Sequence, residues 1–183
     1  MIIDLFSGSG SASEPWVRDG FPVFRYDLLE GWDLGETIVQ DELIKYHKES
    51  DQLLLIWASP PCTEYSRMLT NTHKRPYNPD LKLWKAAQRI IDGLNPRYHV
   101  IENVGGAVRS WGEPRQKVGA FYLWGNYPLI SPPKGTTKKL HYQAPGETNI
   151  QAAARRAEIP AALTERLKAT ILSQSQLPPP KQL

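Results

Sequence analysis

The chain has 183 residues, enough for one domain that buries roughly 70% of its unfolded surface. Hydrophobic residues make up 40% and charged residues 22%, and no apolar run reaches membrane-span length, so a soluble cytoplasmic protein without a membrane partner is expected. A single cysteine rules out an internal disulfide, and a net charge of +3 admits a polyanionic partner without requiring one.

"MIIDLF" reads as a buried strand, followed by a turn of small residues, "SGSGSAS". "SEPWVRDG" reads as a short helix with Ser13 as cap, Pro15 in the first turn and Gly20 at the exit. "FPVFRYD" is a second strand ending in Asp27, and "DELIKYHKES" is helical. "QLLLIWAS" is the clearest strand, stopped by Pro60 and Pro61. "DLKLWKAAQRIIDGL" has helical spacing, with Trp84, Ala87, Ile91 and Leu94 on one stripe and Gly93 and Pro96 marking its end. "RYHVIENV" is a strand that stops at Gly105 and Gly106, and "GAFYLWGNYP" is a further apolar run. "IPAALTERLKATIL" is a helix with Leu163, Leu167 and Ile171 on one face. Residues 1–172 are expected to form a single domain, with 173–183 a flexible tail.

Strands alternating with helices imply an α/β fold: a mostly parallel sheet with helices on both faces. Ligands of such sheets bind at the carboxyl ends of the strands. "DLFSGSG", "YD", "ASPPC" and "IENVGG" should therefore converge on one rim. Gly8 and Gly10 would let a ligand approach the backbone. The pattern suits a dinucleotide, another nucleotide-like cofactor or a plain tight turn, and a third glycine is absent because position 13 is serine. Asp27 is placed to accept from ribose hydroxyls. Asp33 either reaches an adenine amino group or is a solvated loop acid.

An intracellular cysteine is commonly a small buried hydrophobe. Cys62, however, follows two prolines that fix φ and remove backbone donors, at the rim where ligands bind. Core packing needs no such fixture, whereas a nucleophile requires an aimed thiolate. Glu102 ends a strand on the same rim. Burial there would raise its pKa and let it donate to a ring nitrogen, while Asn103 can brace a neighbouring loop through its amide.

"DLFSGSGS", "ASPPCTEYS" and "IENV", in that order, resemble the cofactor, Pro-Cys and Glu-Asn-Val motifs of the cytosine-C5 DNA methyltransferases, and most of all their short phage-encoded versions. "FYLWGNYP" and "ARRAEIPAALTERL" are similar to the family's downstream blocks, so the resemblance runs to about residue 170. It implies a Rossmann-like fold binding S-adenosylmethionine, with residues 1–172 as the catalytic domain. Asp4, Phe6, Gly8 and Gly10 would frame this cofactor, with Asp27 on its ribose and Asp33 near its adenine. Cys62, aimed by Pro61, would attack C6 of cytosine, and Glu102 would hold N3. Pro61, Asn103 and Arg115 would serve the bound base. No metal site is assigned.

The family's usual glutamine after Pro-Cys is replaced by Thr63 and Glu64, and 183 residues leave no room for a separate target-recognition domain. Sequence specificity would then be low, shared with a protein partner, or encoded by short loops (70–79 and 131–148). Lys74-Arg75, Lys138-Lys139 and Arg155-Arg156 are candidate phosphate contacts. DNA is the expected partner, and the motifs do not separate it from RNA. Other readings are a catalytically silent cofactor- or DNA-binding subunit and a nicotinamide oxidoreductase. The last leaves the Pro-Cys turn unexplained.

Overall fold

The computed structural model describes residues 1–50, 52–65, 78–134 and 158–175. Four apolar segments become β1 (Ile2–Leu5), β2 (Val23–Tyr26), β3 (Leu55–Ala58) and β4 (Tyr98–Asn103), each parallel to its neighbour. β5 (Gln116–Val118) and β6 (Phe121–Asn126) form a hairpin, and β6 runs antiparallel to both β4 and β5. The sheet order is β2-β1-β3-β4-β6-β5. This is the expected α/β architecture, mostly parallel, with an antiparallel edge that the apolar run alone did not specify.

The order dictates where the helices lie. The chain leaves β1 through α1 (Glu14–Arg18) toward β2, then returns through α2 (Thr37–His47) to β3 and through α3 (Lys82–Leu94) to β4. Right-handed crossovers in opposite directions put α1 on one face and α2 and α3 on the other. Side-chain alternation agrees. Ile2, Trp57 and Val100 pack with Trp16 of α1 and with Leu163, Leu167 and Ile171 of α5 (Ala161–Ser175). Ile3, Leu5, Ile56 and Ile101 pack with Leu43 of α2 and with Ala87 and Ile90 of α3. Fully burying each large apolar side chain contributes ~1.5–3 kcal/mol, so both faces are needed. The direction of winding reverses between β1 and β3, which makes their carboxyl ends the place where a ligand crevice opens.

Some boundaries depart from the sequence reading. α2 starts at Thr37, ahead of the expected stretch, because the buried Gln40 amide donates to the Leu34 carbonyl at 2.8 Å and fixes the first turn. Gly93 does not end α3. It lies inside the helix, where an added β-carbon would come within 2.8 Å of Ile44 on α2, and Asn95 in the left-handed region (φ 45°) is the stop. α5 runs through Ser175 into the stretch expected as tail, and the Ser175 carbonyl accepts from Arg97 at 3.5 Å. A short helix, α4 (Val108–Trp111), follows β4.

α5 is fastened to α1 by a buried lysine. Lys168 Nζ donates to the Pro15 carbonyl at 2.9 Å and to Asp19 at 2.6 Å, and lies 3.0 Å from Glu165. Lys168→Met keeps the apolar stem but leaves the Pro15 carbonyl without its donor. The expected cost is ~2 kcal/mol, read as a melting temperature lower by about 4–8 °C. An unchanged melting temperature would mean that the clamp carries no stability.

Candidate active site

The glycine turn leaves β1 at Phe6, whose φ of 58° lies in the left-handed region. The Phe6 amide donates to the Tyr26 carbonyl at 2.8 Å, which ties the turn to the end of β2. Asp27 completes the tie: its Oδ2 accepts from Gly8 N and its Oδ1 from Leu29 N, both at 3.0 Å. A carboxylate has about four lone-pair sites, so capacity remains for a ligand hydroxyl. The two glycines differ. Gly8 is exposed at φ +51°, and a β-carbon there would meet nothing within 4 Å. At Gly10 the space is taken by Arg25, whose Nε and Nη1 would lie 2.6 and 2.8 Å from an added β-carbon. Only Gly8 therefore offers the open backbone expected of both, because Arg25 folds over the turn to reach the Gly10 carbonyl and Glu14.

Ser13 stands at the N-cap of α1 but makes no cap hydrogen bond. Its hydroxyl accepts from Arg25 Nε at 2.9 Å and donates to Asp4 Oδ2 at 2.6 Å. Asp4 is fully buried, and its Oδ1 has no hydrogen-bond partner; nor has the buried hydroxyl of Ser7 in the same turn. Burial pushes the Asp4 carboxyl up to about 7, and the Ser13 bond and Arg25 offset this only in part. The folded protein thus holds this proton to about pH 7, whereas the unfolded chain releases it near 3.8. Stability conferred by the neutral form is complete at low pH and is lost as pH rises through that window, by ~2–4 kcal/mol. Asp4→Asn should flatten this decline. Urea midpoints of both proteins at pH 4.5 and 7.5 test it, and an identical pH dependence would contradict it.

Beyond β3 the backbone enters the Pro-Cys loop. Pro60 is buried, Pro61 exposed and Cys62 half-buried, so the thiol lies at the rim and not in the core. The Cys62 carbonyl accepts from Tyr65 N at 3.0 Å, which closes the short turn Thr63–Tyr65. Two contacts hold the loop to the end of β4. Asn103, buried, donates from Nδ2 to the Pro60 carbonyl at 2.8 Å while its Oδ1 accepts from Val104 N. Its amide braces the loop, as its position suggests. On the other side of Cys62, the Tyr65 carbonyl lies against Gly106, where a β-carbon would overlap the carbonyl oxygen. Glu102, 4% exposed, precedes Asn103 on the same strand. The loop carrying Cys62 and the strand carrying Glu102 are thus bound together at the rim that also holds the glycine turn.

Other expected members lie apart. Arg115 stands at the edge hairpin, where its Nε donates to the Tyr127 carbonyl at 2.9 Å and its guanidinium sits 5.6 Å from the Tyr127 ring centre. It holds the exit of β6, at the sheet edge that the β5–β6 hairpin forms beyond β4. Asp33 is exposed and accepts from Gly35 N at 2.9 Å, which shapes its own loop. Lys74-Arg75, Lys138-Lys139, Arg155-Arg156 and most of the two candidate recognition loops lie outside the described residues. Sequence reasoning passed over Arg25, Tyr65 and Gly106; the doubled glycine after "IENV" was the available signal for the last.

No family model matches the chain. A curated protein of frog virus 3 (isolate Goorha), named "Probable DNA (cytosine-5)-methyltransferase", is 28% identical over 114 residues, which cover 56% of this chain. The motif resemblance holds. The match covers 52% of that viral protein, so the chain spans about half the length of this methyltransferase relative. Two solved methyltransferase structures are also similar. One, a candidate DNA modification methyltransferase encoded within an E. coli prophage, has TM-score 0.36 and 23% identity over 60% of this chain and 33% of its own. The other, Entamoeba histolytica methyltransferase EhMeth, has TM-score 0.34 and 22% identity over 61% and 40%.

Proposed function

We propose that the protein transfers a methyl group from S-adenosylmethionine to C5 of cytosine in DNA, with Cys62 as nucleophile and Glu102 as the acid at N3. The observation that supports this most is the fastening of the Cys62 loop to the Glu102 strand, in a chain similar to a DNA (cytosine-5)-methyltransferase. The glycine turn suits the cofactor. Gly8 leaves its face open, and the buried Asp4 Oδ1 and Ser7 hydroxyl at the same turn lack protein partners. Asp27 would receive ribose hydroxyls. When bound, S-adenosylmethionine supplies an electrophilic methyl group on a sulfonium.

Addition of the Cys62 thiolate to C6 opens the C5–C6 double bond and pushes electron density toward C5 and N3. Glu102 meets the charge at N3 by donating a proton. C5 would then accept the methyl, with a neutral thioether as leaving group; a base would remove the C5 proton, the double bond would reform, the thiolate would leave and N3 would return its proton to Glu102. A cytosine stacked in a duplex is beyond reach of the thiol, so the base must be flipped or already single-stranded, at a cost of about a few kcal/mol.

Incubation with methyl-labelled S-adenosylmethionine and DNA or RNA, followed by digestion to nucleosides, tests the reading. Labelled 5-methyl-2′-deoxycytidine is expected. The ribonucleoside instead would move the substrate to RNA, and no transfer with cofactor binding retained would leave a silent binding subunit.

A further inference from the structure

We infer that Gly106 is a positioning residue: the absence of a side chain at 106 forms the seat into which the Tyr65 carbonyl docks, and this seat sets where the Cys62 sulfur stands. The seating stands on the geometry of the two residues. Its catalytic consequence rests on the methyltransferase reading.

A β-carbon at 106 would overlap the Tyr65 carbonyl oxygen and lie 3.0 Å from the carbonyl carbon and 3.7 Å from Cα. All three are backbone atoms, so no side-chain rotation relieves the collision. The carbonyl would have to withdraw by roughly 1–2 Å to regain van der Waals separation. Tyr65 is not free to tilt alone. Its amide donates to the Cys62 carbonyl, its ring is buried edge-on against Trp111 at 4.9 Å, and its hydroxyl donates to the Asp80 carbonyl at 3.1 Å. Displacement at 65 is therefore passed along the short turn Thr63–Tyr65 to Cys62, while the Asn103–Pro60 bond anchors the other end. A nucleophile shifted by ~1 Å can lose ~100-fold in rate.

The neighbouring glycine supplies the comparison. A β-carbon on Gly105 would meet Tyr122 Cζ at 2.7 Å, in the far end of a side chain and not in backbone, and Tyr122 is no part of the Cys62 loop. Gly105→Ala and Gly106→Ala thus add the same methyl group to the same motif, one beside the seat and one in it.

Cys62 is the only cysteine, so alkylation by iodoacetamide followed by intact mass reads this one thiol whether or not the protein methylates anything. In Gly106→Ala the lifted loop should be alkylated at least ~3-fold faster than wild type, with Gly105→Ala at the wild-type rate. Capture of a 5-fluorocytosine oligonucleotide should slow by ~30–100-fold at saturating DNA, with the half-saturating DNA concentration within about threefold and cofactor affinity within about twofold. Equal alkylation of wild type and Gly106→Ala, or the same acceleration in Gly105→Ala, would overturn the inference. If Gly106→Ala does not fold, amide exchange in wild type decides. A Tyr65 amide as protected as those of β4 supports the seat, and one exchanging like an open loop overturns it. A wild-type protein that transfers no methyl and captures no oligonucleotide would remove the proposed function alone, and the alkylation result would still decide the seat.

Discussion

Cys62→Ser should abolish covalent capture of a 5-fluorocytosine oligonucleotide and slow methyl transfer at least ~1,000-fold. Fluorine at C5 cannot depart as the proton does, so the adduct formed after methyl transfer has no route to elimination and persists through denaturing electrophoresis. A serine hydroxyl is far less ionised than a thiol at neutral pH, and its addition to C6 should be correspondingly slow. The substitution changes one atom on a loop whose anchors, the Pro60 carbonyl and the Tyr65 carbonyl, are backbone groups, so fold and cofactor binding should survive. Capture that persists in Cys62→Ser would refute the assignment of the nucleophile.

Glu102→Gln should slow transfer by ~100–1,000-fold while leaving cofactor affinity within about twofold of wild type. Glutamine keeps the size of the buried side chain but has no acidic proton for N3. The separation of the two effects follows from the sheet. Glu102 belongs to β4, the glycine turn follows β1, and β3 lies between them. Isothermal titration with S-adenosylmethionine, beside single-turnover transfer, reads each quantity. Equal losses in both would make the residue structural.

The parallel part of the fold was legible because each strand is an apolar run ended by turn residues, and parallel neighbours bring all their carboxyl ends to one rim. "QKV" carried no such signal; β5 exists because Gly119, at φ 62°, turns the chain so that Val118 pairs with Phe121. Ser13 had the residue type and place of a helix cap, yet a buried carboxyl group nine positions earlier drew its hydroxyl inward. The placing of the Cys62 loop beside the Glu102 strand was legible too. The contact of Gly106 was not: the doubled glycine marked a turn, but its partner is a backbone carbonyl distant in the chain, which leaves no mark on composition. Arg115 was expected at the base through resemblance alone, and in the structure it donates to the Tyr127 carbonyl at the edge hairpin.

The wall behind the glycine turn arrives late. Ser11 accepts from the amide of Ile159, and Lys168 reaches Pro15, across 148 and 153 positions. A ribosome adding about 5–20 residues per second makes the turn roughly 7–30 s before the segment that backs it. Until then Trp16 and Ile2 lack the apolar cover that Leu163, Leu167 and Ile171 later provide. Contacts so distant close slowly, which makes the emerging polypeptide a natural client for a chaperone during that interval.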